Sequence, residues 1–334
     1  MKLKFLASAV LVASVGFSSV SVLANEMDAV NQGFAAFDQG KPQEAEAIFT
    51  KLIDSPEHKS QGLMYLGWLY LAQGKTESAI DYIEQALKVA PNTAEELTLS
   101  GDIYCNHAPR SSMFSALKMA KKCIAQYEEA LKLEPENVDV LMTAMQFYLA
   151  APSFAGGSTE KGNILLEKLK TLSPEHATTY KVAELDRAKK TDEALALADE
   201  LTKKGFNSAT NQYMIAHFYR DKKQYDKALP LFASMDKFSE TTRSRWFIRD
   251  SLLQQGEILM IDNRDVAQAI KLIEEYKQKN KNSGDPHYFW STWSLAKAHK
   301  SAGNHSKYDE LVAQIESEDY EDNKEFSKQF ESRK

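Results

Sequence analysis

The sequence is poor in residues that interrupt helices. Fourteen glycines and nine prolines in 334 residues are too few for a disordered or an all-β chain, whose turns and linkers depend on them. After residue 24 no apolar run approaches the ~20 residues that a membrane-spanning helix needs, so no span is expected beyond that point. Catalytic signatures are missing as well. Histidines at His58, His107, His176, His217, His287, His299 and His305 form no His-Glu-x2-His or other zinc spacing, so no metal is expected. There is no Gly-x-Ser-x-Gly elbow, and the carboxylates are interspersed with lysines as solvated helix faces. Nothing in the sequence supports catalysis or calls for a cofactor, and the expectation is a non-enzymatic protein.

Apolar residues at 43% and aromatics at 10% are ample for a core. The first 24 residues carry Lys2 and Lys4, an apolar run of small residues from Phe5 to Phe17, and Val22 and Ala24 flanking Leu23. This is the pattern of a secretory signal peptide cleaved after Ala24. No cysteine stands near the cut to carry a lipid, and the expected location is the periplasm. Losing Lys2 and Lys4 turns 41 basic side chains into 39 against 47 acidic ones, a formal charge of −8 instead of −6. Mild acidity spread over helical faces argues against nucleic acid or an anionic membrane as the main partner.

Period decides the fold. In "LMYLGWLYLAQGKTESAIDYIEQALKVAP", Leu63, Leu66, Gly67, Tyr70, Ala79, Ile83 and Ala86 recur at three and four residues, which predicts two amphipathic helices broken at Gln73-Gly74-Lys75. Pro91 stops the second helix, since its ring clashes with the preceding turn. This unit resembles the tetratricopeptide repeat, a 34-residue helix-turn-helix. Ala45 and Phe49 stand 34 residues before Ala79 and Ile83, and Ala194 and Ala228 are again 34 apart. Elsewhere the period is stretched: Pro91 to Pro135 is 44 residues and Pro135 to Pro174 is 39. Both excesses fall between the helices of a pair, at 106–116 and 151–157. The resemblance implies an all-α superhelical solenoid of about seven to eight such units over residues 25–316, with 317–334 as an acidic, polar cap or tail.

The second insertion, in "APSFAGGSTEKG", has the glycines, serine and lysine of a phosphate-binding loop. Here Lys161 is followed by Gly162, no Ser or Thr follows the lysine, and the flanks are helical, so the loop reads as a connector. Pro152 ends one helix, Gly156 and Gly157 permit the turn, and Ser158 caps the next helix.

Cys105 and Cys123 are a candidate disulfide in an oxidising compartment. The competing reading makes Cys123 an inert packing residue at the repeat's small position. If the units stack as those of the family do, their first helices line a concave groove. The family's groove positions then fall on Met64, Trp68, Leu71, Asp102, Met142, Gln146, Tyr213, His217 and Arg220, with Trp68 the leading candidate anchor. Such a wall suits a protein or peptide ligand. The lysine and asparagine clamp with which some family members hold acidic carboxy termini is not reproduced. The expected function is a periplasmic scaffold in envelope assembly or secretion. The alternative is an accessory or regulatory subunit of an envelope enzyme acting on peptidoglycan or exported peptides.

Overall fold

Helices with one small, apolar stripe bury it only by pairing, and the chain does so with successive neighbours. The computed structural model describes residues 29–39, 41–89, 93–108, 112–241, 244–281, 287–318, 320 and 324–332. The expected signal segment 1–24 lies outside the described residues. Within them all regular structure is helical, and there is no strand. Helix α1 (29–38) pairs with α2 (Pro42–Ile53), α3 (Lys59–Ala72) with α4 (Thr76–Val89), and α5 (Ala94–His107) with α6 (Met113–Leu133). The series continues with α7 (Val138–Ala150) and α8 (Thr159–Leu172), α9 (Pro174–Arg187) and α10 (Thr191–Lys204), then α11 (Ala209–Asp221) and α12 (Tyr225–Ala233). Two further pairs, α13 (Arg245–Met260) with α14 (Val266–Asn280) and α15 (Tyr288–Ser301) with α16 (His305–Glu316), precede a last helix, α17 (Lys324–Glu331). The architecture is an all-α superhelix of paired helices.

Close approach within a pair depends on small residues. Ala45, Ala79, Ala194 and Ala228, the positions that set the 34-residue period, are all fully buried. A Cβ on Gly67 would lie 2.8 Å from Ile83 Cγ2, so α3 and α4 can meet at this depth only without one. Helix starts are capped by side chains: Thr93 and Glu96 form a reciprocal capping box on α5, and Asn137, Ser158 and Ser208 cap α7, α8 and α11.

A polar staple recurs between units. A tyrosine of a first helix, a lysine of the same unit's second helix and a carboxylate of the preceding second helix converge. In the fourth unit, Lys161 reaches Glu128 at 2.7 Å and lies over the Tyr148 ring, while the Tyr148 hydroxyl donates to Glu128. In the sixth, Lys227 and the Tyr219 hydroxyl both reach Asp199 at 2.7 Å. In the third, Lys122 pairs with Glu84 at 2.5 Å and lies over the Tyr104 ring. Lys161, the residue that suggests a phosphate loop, is thus a member of a periodic structural set. Its loop behaves as a connector: Ser158 Oγ accepts from the Lys161 N–H, Gly156 has φ of +104°, and a Cβ on Gly157 would fall 1.7 Å from the Ala151 carbonyl oxygen.

The other insertion lengthens a helix. α6 has 21 residues where α4 has 14, and the extra turns precede the expected start. Cys105 at the end of α5 and Cys123 in the middle of α6 are joined, with Cα atoms 5.4 Å apart, which ties the longer helix to its partner. At the other end, Phe326 and Phe330 of α17 are fully buried against Trp290, Trp293 and Tyr320. Residues 324–331 therefore form an apolar-faced cap on the eighth pair.

The superhelix returns on itself. Asp38 of α1 accepts from Arg245 Nη1 at 2.5 Å and pairs with Arg249 Nη2 at 2.8 Å, both on α13. Glu240 takes the same Arg249 nitrogen at 2.7 Å. The Arg245 guanidinium also lies over the rings of Phe34 and Trp68, at 5.1 and 5.6 Å. The first, second and seventh units therefore meet across 207 residues of sequence.

Candidate functional site: the concave channel

First helices face inward, and closure makes their shared face a channel. A cavity of about 670 Å³ is lined by Trp68 and Leu71 of α3, Asp102 of α5, Met142 and Gln146 of α7, Tyr180 of α9, Met214 of α11 and Trp246 of α13, among others. Every lining residue belongs to a first helix of units two to seven. A second cavity, of about 900 Å³, continues toward the carboxy terminus between α11, α13, α15 and α17, and Trp246 borders both.

The groove residues expected from the sequence divide between these spaces. Trp68, Leu71, Asp102, Met142 and Gln146 line the channel, and Tyr213, His217 and Arg220 line the second cavity. Met64 lines neither: it is 1% exposed and packs with Leu63, Ile83 and Ile103, so it presents no surface to a partner. The reason is that α3 is sandwiched between units and buries most of its circumference. Tyr213 is a border case. It is 4% exposed, with its hydroxyl donating to Asp250 at 2.5 Å, and it builds the cavity wall more than it offers a contact. Its neighbour Met214, 42% exposed, faces the channel instead. Trp68 is both wall and packing: its ring meets Phe34 at 4.7 Å and Phe37 at 5.2 Å. Met214, Trp246, Tyr180 and His176 escape the sequence reading, although the inward-facing positions, applied to α9 and α13 as well, point toward this face.

Charges differ between the two spaces. Among the described residues, the charged side chains that line the channel are the carboxylates Glu95, Asp102 and Asp139. Asp102 accepts from the Tyr127 hydroxyl at 2.7 Å. His176 also lies on the lining, and burial lowers its pKa from the usual histidine range. The second cavity holds both signs. Arg220 pairs with Glu257 at 2.6 Å, and Ser294 donates to the other oxygen of the same carboxylate. Asp250, 1% exposed, accepts from Tyr213 and from Gln254 Nε2 through Oδ2, and burial raises its pKa above the usual carboxylate range. Lys297 opens onto this cavity yet is walled by protein, and the resulting desolvation lowers its pKa. Among the described residues, no group of three or more His, Cys, Asp or Glu is placed to hold a metal ion. No helix there is long and apolar enough to cross a membrane.

Comparison with known proteins agrees with this architecture. Residues 30–94 match the family model of the tetratricopeptide repeat. Over 108 residues, 32% of this chain, the sequence is 32% identical to the human Protein O-mannosyl-transferase TMTC3, of whose length that stretch is only 11%. Among solved structures, yeast Tom70 superposes with a TM-score of 0.62 at 15% identity, over 92% of this chain and 63% of that one. A tetratricopeptide repeat protein from Parabacteroides merdae is also similar in part, with a TM-score of 0.45 at 15% identity over 82% of this chain and 99% of that one. Residues 30–94 are thus a tetratricopeptide-repeat segment, set in a superhelix of paired helices.

Proposed function

We propose that the protein is a periplasmic scaffold that holds a segment of a partner protein in its concave channel, within envelope assembly or secretion. The observation that carries this reading is the channel itself. Inward faces of six consecutive first helices bound one space, and large apolar side chains such as Met214 and Trp246, each 42% exposed, stand open along it. Partly exposed aromatic and thioether side chains in a concavity are the usual anchors of a bound segment. Among the described residues the charged side chains that line the channel are carboxylates, which argues against a nucleic-acid backbone as the occupant. The pattern of residues 1–24 supports export, with a mature chain beginning at Asn25.

The test is capture from periplasm with the wild-type chain and with Met214→Glu. An apolar anchor replaced by a charge should cost any channel-bound partner at least tenfold in affinity, with circular dichroism unchanged because the side chain is exposed. A partner held equally well by the variant would place binding elsewhere on the molecule. Amino-terminal sequencing of the exported protein checks the compartment, and retention of residues 1–24 would remove that part of the reading.

A further inference from the structure

The three most exposed large apolar side chains among the described residues are Phe114, Met113 and Phe154, at 85%, 82% and 71%. All three belong to the stretched connectors of the third and fourth units. These connectors meet: the 3-10 turn Ser153–Ala155 packs against α6, and a Cβ on Gly156 would lie 3.2 Å from Ile124 Cγ2. The staple lysines measure how far α6 projects. Lys122 is the tenth residue of α6, whereas its counterpart Lys161 is the third of α8, so α6 begins seven residues further out, about 10 Å along the axis. The Cys105–Cys123 bond fixes the base of this prong to α5. Exposed apolar tips on a braced projection mark a contact surface, because no repeat neighbour buries them.

Charge selects the kind of surface. Residues 103–127 hold Arg110, Lys118, Lys121 and Lys122 and no Asp or Glu, and residues 140–159 hold no Asp, Glu, Lys or Arg. Glu160, in the first turn of α8, is the nearest acid in sequence to Phe154. Lys122 is taken by Glu84 at 2.5 Å, while Lys118 and Lys121 are exposed. Phe114, Lys118 and Lys121 stand at i, i+4 and i+7, which puts them on one face of the helix. The lysines follow the aromatic tip by about 6 and 10 Å. A bilayer has that layering, since headgroups about 5–8 Å deep cover its hydrocarbon. A tip at the hydrocarbon edge leaves both lysines at headgroup level.

We propose that the prong is a peripheral membrane contact: Met113 and Phe114, broadened by Phe154, enter the edge of an anionic bilayer while Lys118 and Lys121 meet its headgroups. A partner protein would have to supply a pocket around a tip this exposed, whereas a fluid interface closes around it without one. The acidity of the whole chain opposes adsorption through other faces, so the prong orients the superhelix on the surface. This contact is independent of what the channel holds, and its failure would leave the scaffold reading untouched.

The test is co-sedimentation with vesicles, using the chain from Asn25 onward, which keeps every described helix and omits the apolar run from Phe5 to Phe17. Vesicles of equal parts phosphatidylglycerol and phosphatidylethanolamine should bind it at least about tenfold more tightly than phosphatidylcholine vesicles. Met113→Ser with Phe114→Ser should weaken that binding about tenfold or more. Lys118→Gln with Lys121→Gln should weaken it about fivefold or more and make it less sensitive to salt. Lys203→Gln with Lys204→Gln, at the end of α10, and Met214→Ser, in the channel, should each change it less than about twofold. All these side chains are exposed, so the helical signal should be kept; if the serine pair disturbs it, the lysine pair decides. Binding to neither vesicle, or equally to both, would overturn the proposal, as would equal loss from either control. Self-association through Met113 and Phe114 without vesicle binding would make the prong a protein interface and overturn it too.

Discussion

Replacing Asp38 with Asn tests whether the superhelix is held closed. The change keeps the shape of the side chain and removes its charge. Asp38 serves two guanidinium groups, Arg245 at 2.5 Å and Arg249 at 2.8 Å, and these donors are buried, with side-chain exposures of 12% and 6%. Hydrogen bonds to charged groups contribute about 1.5–3 kcal/mol each when buried. Two considerations reduce the total: Asp38 itself is 29% exposed, so solvent screens it, and Glu240 continues to neutralise Arg249. A net loss of about 2 kcal/mol remains, or roughly thirtyfold in the ratio of closed to open forms. The loss falls on closure and hardly on folding, because repeat stability is set by nearest neighbours. Small-angle scattering should show a larger radius of gyration for the variant at low salt, and the difference should shrink with salt as the Asp38 pairs that the wild type retains are screened. The helical signal should be unchanged. An identical radius of gyration and melting profile in wild type and variant at low and high salt would refute the assignment of Asp38 as the closing residue.

Lys161→Ala should cost about 0.5 kcal/mol, since the pair with Glu128 is largely exposed; a thermal melt lower by about 1–2 °C with no change in phosphate or nucleotide binding is the expected result. Glu128 is held below the usual carboxylate range by hydrogen bonds from Lys161 and Tyr148, so its contribution is present above the unfolded pKa and is lost as pH falls through the folded one. Glu128→Gln should therefore flatten the acid side of the stability-pH profile in urea titrations. Lys223 has φ of +57° at the turn position where other units carry Gly74 and Gly303, and Lys223→Gly should stabilise the chain by about 0.5 kcal/mol, read as a higher urea midpoint. Trp68→Ala should lower the melting temperature by several degrees, because the ring packs on Phe34 and Phe37 as well as facing the channel.

The repeat was legible because its period is written in small residues that have no choice of environment. Ala45, Ala79, Ala194 and Ala228 each sit where two helices touch, and any larger side chain would separate them. The connector at 151–157 was legible for a related reason, as Ser158 and the two glycines act through local backbone geometry. The groove was read less well. First helices are enclosed by both neighbouring units, so apolar periodicity around α3 or α11 does not distinguish a residue facing the core from one facing the channel. A single position of rotation separates buried Tyr213 from open Met214, and Met64 was displaced into the core in the same way. Closure left no local trace at all. Asp38, Arg245 and Arg249 are ordinary charged residues in their own segments, and only the accumulated rotation of six units brings them together. The Cys105–Cys123 pair was a candidate from the sequence, but its bond depends on where an extended α6 lies against α5.

An open solenoid can gain or lose a unit by duplication or deletion, because each unit touches only its neighbours. The contact from Asp38 to Arg245 and Arg249 takes that freedom away for everything between α1 and α13. Removing one 34-residue unit would rotate α13 away from α1 and strand two buried arginines, and adding one would carry α13 past its partner. Repeat number here is a fitted quantity, as strand number is in a closed barrel, and the circumference of the channel is fixed with it. Change in such a chain is therefore confined to substitution along the inner face or to growth beyond α14, where an added pair extends the molecule without altering the ring.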